Sequence, residues 1–116
     1  MMDLEYIESE LEIEIPNVYR MFLEQADANM VDLESLEFFD DAERLVEFNE
    51  TMAKDWPQWE SHFLAFGPGD GCGNWFVIDA DSVDTDNILL VAHDPLGIEP
   101  VGTATEFFAN YLNPAG

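Results

Sequence analysis

Two runs of consecutive apolar residues, Trp75-Phe76-Val77-Ile78 and Ile88-Leu89-Leu90-Val91-Ala92, constrain the fold of this chain more than any other feature. A strand with one wet face alternates apolar and polar residues, so an unbroken apolar run needs cover on both faces. These segments are therefore expected at the centre of a sheet, and helices elsewhere in the chain must supply the cover.

The first half carries the helical spacing. Leu4, Ile7 and Leu11 fall on one face of a helix, with Glu5, Glu8 and Glu12 turned away. After a break at Ile13-Glu14-Ile15-Pro16, the residues Val18, Tyr19, Phe22 and Ala26 repeat in the same way. Pro16 suits the start of that helix, where its missing N–H would be unbonded in any case. Asp40-Asp41-Ala42-Glu43 predicts a capping box, with Asp40 as the cap and Glu43 reaching back. It precedes the stripe Ala42, Leu45, Val46, Asn49, Met52, Ala53, a third helix ending near Trp56-Pro57.

In the second half the period changes and Gly and Pro mark the joints. His62-Phe63-Leu64-Ala65-Phe66 enters a Gly-rich stretch at 67–73. Asp94-Pro95-Leu96-Gly97 has the residues of a type I turn, so Ile98-Glu99-Pro100-Val101 is expected to pair back as a hairpin. Pro100 lacks a donor, which places that strand at an edge. Thr103-Ala104-Thr105-Glu106 is a second capping box, ahead of an apolar face formed by Ala104, Phe107, Phe108, Tyr111 and Leu112. The expectation is one α+β domain over residues 1–116: N-terminal helices, a central, mostly antiparallel sheet of about four to six strands, and a closing C-terminal helix.

Charge decides which partners are open to such a domain. The chain has 26 Asp and Glu against 3 Lys and Arg, a net charge of −23. Residues 61–116 contain no Lys or Arg at all. That field repels phosphate and acidic lipid, so direct nucleic-acid binding and membrane binding are excluded and a basic protein partner is favoured. With 47% hydrophobic residues the chain is too apolar for a disordered acidic tail. The single Cys72 has no partner for an internal disulfide, and Met1-Met2-Asp3-Leu4-Glu5 lacks the features of a signal peptide. A cytoplasmic protein is expected.

Motifs that suggest chemistry have bland readings here. The Gly-rich stretch lacks a Lys followed by Ser or Thr, and Asp70 within it opposes an anion, so it reads as a turn between strands. Asp79, Asp81, Asp84 and Asp86 depart from the EF-hand spacing and read as an acidic inter-strand loop. Cys72, His62 and His93 lack the spacing of a zinc site, and the acidic surroundings disfavour a thiolate nucleophile. Cys72 therefore reads as a small buried or half-buried residue, and His93 as bonding within the Asp94-Pro95 turn. No catalytic residue, metal or cofactor is expected. Trp56 and Trp59, flanking Pro57, fit either a partner anchor or a cap over the end of the sheet.

With these segments placed, the chain resembles the SUKH superfamily, whose founding members are the fungal Smi/Knr cell-wall-synthesis regulators. The resemblance rests on Glu10-Leu11 through Ile15-Pro16-Asn17-Val18-Tyr19-Arg20-Met21-Phe22-Leu23, on Phe66-Gly67 through Gly71-Cys72-Gly73-Asn74-Trp75-Phe76-Val77-Ile78-Asp79, and on His93 to Glu99 followed by Phe107-Phe108 and Leu112. Glu12 stands where that family often has Gly, and Asp27-Ala28-Asn29 lacks the usual Gly after the second helix. The resemblance implies a non-catalytic immunity protein that binds and neutralises a toxin, often a nuclease, and the charge independently suits an acidic decoy for a basic, phosphate-binding cleft. The expected contact region is Asp70, Asp79, Asp81, Asp84, Asp86, Asp94 and Glu99, with helix-borne acids of the first half as the alternative. Two rival accounts of the charge stand beside it: an intracellular adaptor or regulatory module binding a basic resident protein, and adaptation to high salt, in which the acids maintain solubility.

Overall fold

Alternate residues of the two apolar runs face opposite sides of one sheet, and each side has its own core. The computed structural model describes residues 2–93 and 96–112. In it, α1 (Leu4–Leu11), α2 (Asn17–Ala28), a 3-10 turn (Glu34–Leu36) and α3 (Ala42–Asp55) precede β1 (Phe63–Gly69), β2 (Trp75–Asp79), β3 (Asn87–His93) and β4 (Leu96–Thr103), and α4 (Ala104–Leu112) follows. The strands form an antiparallel meander in the order β1-β2-β3-β4, an α+β arrangement with the two apolar runs as its central strands.

On one side, Leu64 and Phe66 of β1, Ile78 of β2 and Ile88 of β3 pack with Ile7, Tyr19, Phe22, Leu45 and Phe108 from all four α-helices. Phe38, from the connection before α3, completes an aromatic cluster there, 4.9 Å from Phe22 and 5.5 Å from Phe66 between ring centres. On the other side, Phe63, Ala65, Val77 and Val91 meet Met52, Phe48, Trp56 and Trp59. Helix α3 serves both cores, with Leu45 and Val46 in the first and Met52 in the second. Trp56 and Trp59 thus act as a cap over the sheet, 6.2 Å apart between ring centres, with Trp59 only 8% exposed.

Several local expectations are corrected. Asp41, not Asp40, caps α3: its Oδ1 accepts from Glu43 N at 2.9 Å and its carbonyl from Leu45 N at 3.1 Å. Pro16 does stand at the start of α2, in its cap position. Strand β4 begins at Leu96, paired with His93, so Leu96 and Gly97 are strand residues and not part of the turn. Asp94 and Pro95 lie outside the described residues. Cys72 is exposed, because the loop between β1 and β2 holds it clear of the sheet. The capping bond expected at α4 is present, with Glu106 N donating to Thr103 Oγ1 at 3.2 Å.

The two sheet edges differ. Strand β1 is sealed: Phe39 N donates to Phe66 O at 3.0 Å, and the buried Asn49 side chain bonds both backbone groups of Ala65. The chain at 37–39 runs so close that any side chain at Gly67 would strike its backbone, and Gly67 also has φ +135. Beyond β4, among the described residues, no further strand is paired.

Candidate partner-binding surface

Successive turns of a meander fall at alternate ends of the sheet, and this separates the acids that the sequence groups together. Asp70 lies between β1 and β2 at one end, while Asp81, Asp84 and Asp86 lie between β2 and β3 at the other. The 5 residues of β2 intervene, a span of roughly 17 Å. Glu99 sits part-way along β4, and Asp94 falls outside the described residues.

Four of these carboxylates have partners within the protein, Asp84 by a single exposed bond and Asp70, Asp79 and Asp86 more firmly. Asp70 organises its own loop, accepting from Cys72 N at 2.8 Å, from Asn74 Nδ2 at 2.8 Å and from Asn74 N at 3.2 Å. The Asn74 side-chain bond, followed by the Cys72 backbone bond, holds the Asp70 carboxyl below the usual aspartate range. Asp79, at the end of β2, pairs with Nδ1 of His62, whose Nε2 lies 3.7 Å from Glu60. Among the described residues no hydroxyl or thiol bonds that ring. Asp86 caps α4 from outside the helix: Thr105 N donates to its Oδ1 at 2.8 Å, and Ala104 N donates to its carbonyl at 2.9 Å.

Asp81 and Asp84 are exposed, and the loop that carries them is anchored by its backbone. Asn17 N, at the start of α2, donates to Val83 O at 2.8 Å, and Asn17 Nδ2 reaches Asp84 Oδ1 at 3.3 Å. The loop divides two hollows. Asp81 borders one together with Glu12, Glu14 and His62. Asp84 and Asp86 border the other, a groove of about 420 Å³ between α2 and α4 floored by Met21, Phe22, Phe108 and Leu112. Glu12 and Glu14 share this hollow with Asp81, a juxtaposition not legible along the chain that arises because the start of α2 is tied to the loop through Asn17 and Val83.

A second acidic face lies on α1 and α3. Asp3, Asp40, Asp41 and Glu43 surround Tyr6, which is 37% exposed. Its packing, then the carboxylates of Glu10, Glu43, Glu50 and Glu47, push the Tyr6 phenol upward. Of the three basic residues, Arg44 and Lys54 lie on α3 itself, and Arg20 is paired with Glu8 at 3.4 Å.

His93 bonds to the neighbouring loop, where both its N–H and its Nδ1 meet Asn74 Oδ1, at 3.2 Å and 3.1 Å; the Asp94-Pro95 turn in which it was expected to bond lies outside the described residues. Among the described residues no three His, Cys, Asp or Glu side chains are grouped to hold a metal ion, and no helix is long and apolar enough to cross a membrane.

The sequence model of the SMI1 / KNR4 family (SUKH-1) matches residues 2–110. The chain belongs to the SMI1/KNR4 family. The match takes in all three helices before the sheet, the four strands and most of α4. Neither a curated protein nor a solved structure matches the chain. As a member of the SMI1/KNR4 family it keeps the α2 start and the β1–β2 loop that carry the family resemblance, and it places Glu12 in a left-handed conformation, φ 55, at the end of α1. That is the conformation for which glycine is the ordinary choice.

Proposed function

We propose that this SMI1/KNR4-family protein is a non-catalytic, cytoplasmic immunity protein that binds a basic toxin, with a nuclease domain as the best-fitting class. The observation that carries this reading is the exposed carboxylate set at one end of the sheet: Asp81 and Asp84, joined by Glu12 and Glu14, on a loop tied to α2. A nuclease keeps a cationic cleft for phosphate, and fixed carboxylates fill it without the chemistry of a phosphodiester. Glu99 extends the same negative field along β4. Asp79 and Asp86 support this surface, by pairing with His62 at the end of β2 and by holding the start of α4, while Asp70 organises the loop at the opposite end of the sheet.

The test starts from the adjacent reading frame, which on this reading encodes a toxin domain. Co-expression with this protein should restore growth to cells producing that domain, and the purified pair should associate at a rate that falls steeply with salt. Absence of both rescue and complex formation overturns the reading.

A further inference from the structure

We propose that the free edge of β4 is a second binding site, which accepts an extended basic segment of a partner as an added strand. This surface lies apart from the acids at 81–86, and the proposal does not depend on the partner being a toxin.

The two edges of the sheet are treated differently by the fold. The β1 edge has its backbone groups taken up by Asn49 and Phe39. The β4 edge has no such cover among the described residues, and β4 is exposed along nearly its whole length. Its side chains are those of a docking strand. Leu96 and Ile98 are 59% and 39% exposed, and they pair with His93 and Val91. Directly paired residues share a face, so both stand on the side of the sheet whose core ends at Val91. Glu99, paired with Leu90, stands on the opposite face.

An unprotected edge invites self-association, and this one is guarded against it. The register shifts between Ile88 and Leu89, opposite Gly102 and Pro100, which leaves Val101 unpaired. Pro100 removes a donor, so the pairable stretch is Leu96–Glu99. A second copy of the chain would bring another net charge of −23 to the same edge. A segment alternating apolar and basic residues meets all the conditions: backbone pairing along 96–99, apolar side chains beside Leu96 and Ile98, and a cation beside Glu99.

The probe is a capped hexapeptide alternating lysine and valine, titrated into the ¹⁵N-labelled protein. Shifts and slowed amide exchange should concentrate at residues 96–99. Only every other amide of an added strand bonds to the edge, so N-methylation of one alternating set should abolish binding while methylation of the other set leaves it intact. Glu99→Lys should weaken binding about fivefold. Equal binding by both methylated peptides, perturbation confined to the α1–α3 acids, no binding at all, or a protein dimer formed through β4 in sedimentation would each overturn the proposal. None of these outcomes bears on rescue from the toxin, so the two readings fail separately.

Discussion

The side-chain amide of Asn49, 2% exposed in the middle of α3, takes the place of a neighbouring strand for Ala65. Its Nδ2 donates to Ala65 O at 2.9 Å and to Leu45 O at 2.9 Å, and its Oδ1 accepts from Ala65 N at 2.8 Å. One side chain thereby closes a sheet edge that helix α3 buries. Asn49→Ala leaves these buried backbone groups unpaired and should destabilise the protein by ~3 kcal/mol. Urea unfolding measures it, and a loss below ~1 kcal/mol would show that water replaces the amide.

Glu12 and Met30 carry side chains at φ 55 and φ 56, where a Cβ is strained. Met30 is 87% exposed, so its side chain contributes little in return. Glu12→Gly and Met30→Gly should each raise stability by ~1 kcal/mol, as the left-handed strain is relieved. Thermal unfolding of the two variants decides the matter, and a fall in both would refute the strain argument.

Asp86 and Asp84 are close in sequence and differ in what they hold. Asp86→Ala removes the cap of α4 at Thr105 and should cost ~1 kcal/mol. Asp84→Ala removes only an exposed bond to Asn17 and should stay within ~0.5 kcal/mol of the parent. Equal losses in chemical denaturation would contradict this division.

The Asp70 carboxyl is held below 3.8 by Asn74 and Cys72, and so below its value in the unfolded chain. A depressed folded pKa means that the contribution is complete above the unfolded value and is lost as pH falls through the folded one. The amides of Cys72 and Asn74 should therefore titrate with a midpoint under 3.8. A midpoint at or above that value would mean that the loop bonds are not formed in solution.

Reversing Asp81 and Asp84 together to Lys should slow association with the toxin domain about tenfold at low salt and leave circular dichroism unchanged. Reversal of Glu43 and Glu47 is the matched control on the α1–α3 face. If only the control slows binding, the helix-borne acids are the contact surface. The parent protein should also keep its fold in dilute buffer, whereas unfolding there would point to salt adaptation.

Elements were legible where the signal is local. The helical stripes of α1, α2 and α3, the capping bond at Thr103, the edge position of Pro100 and the burial of both faces around Val77 and Val91 all follow from residue type and spacing. Phe38 was not legible, because it sits in an irregular connection with no periodicity, yet it lies at the centre of the aromatic cluster. The same limit moved the α3 cap from Asp40 to Asp41. Adjacent aspartates cap equally well, and packing of the helix sets the register.

The acids show the division most clearly. Their number, and hence the sign of the partner, is a property of composition, because net charge needs no geometry to act at a distance. Which of them are free is not. Asp79 and Asp86 look like Asp81 in the sequence, but the sheet and the start of α4 bring His62 and Thr105 to them and leave Asp81 facing solvent, whereas Asp70 is held by donors of its own loop. The sequence by itself determined an α+β fold with two buried central strands and a strongly negative surface, since periodicity and charge are local or additive. Only the tertiary structure decided which carboxylates hold loops and which stay available, and which sheet edge is sealed, since a hydrogen bond depends on what long-range packing brings within 3 Å or so.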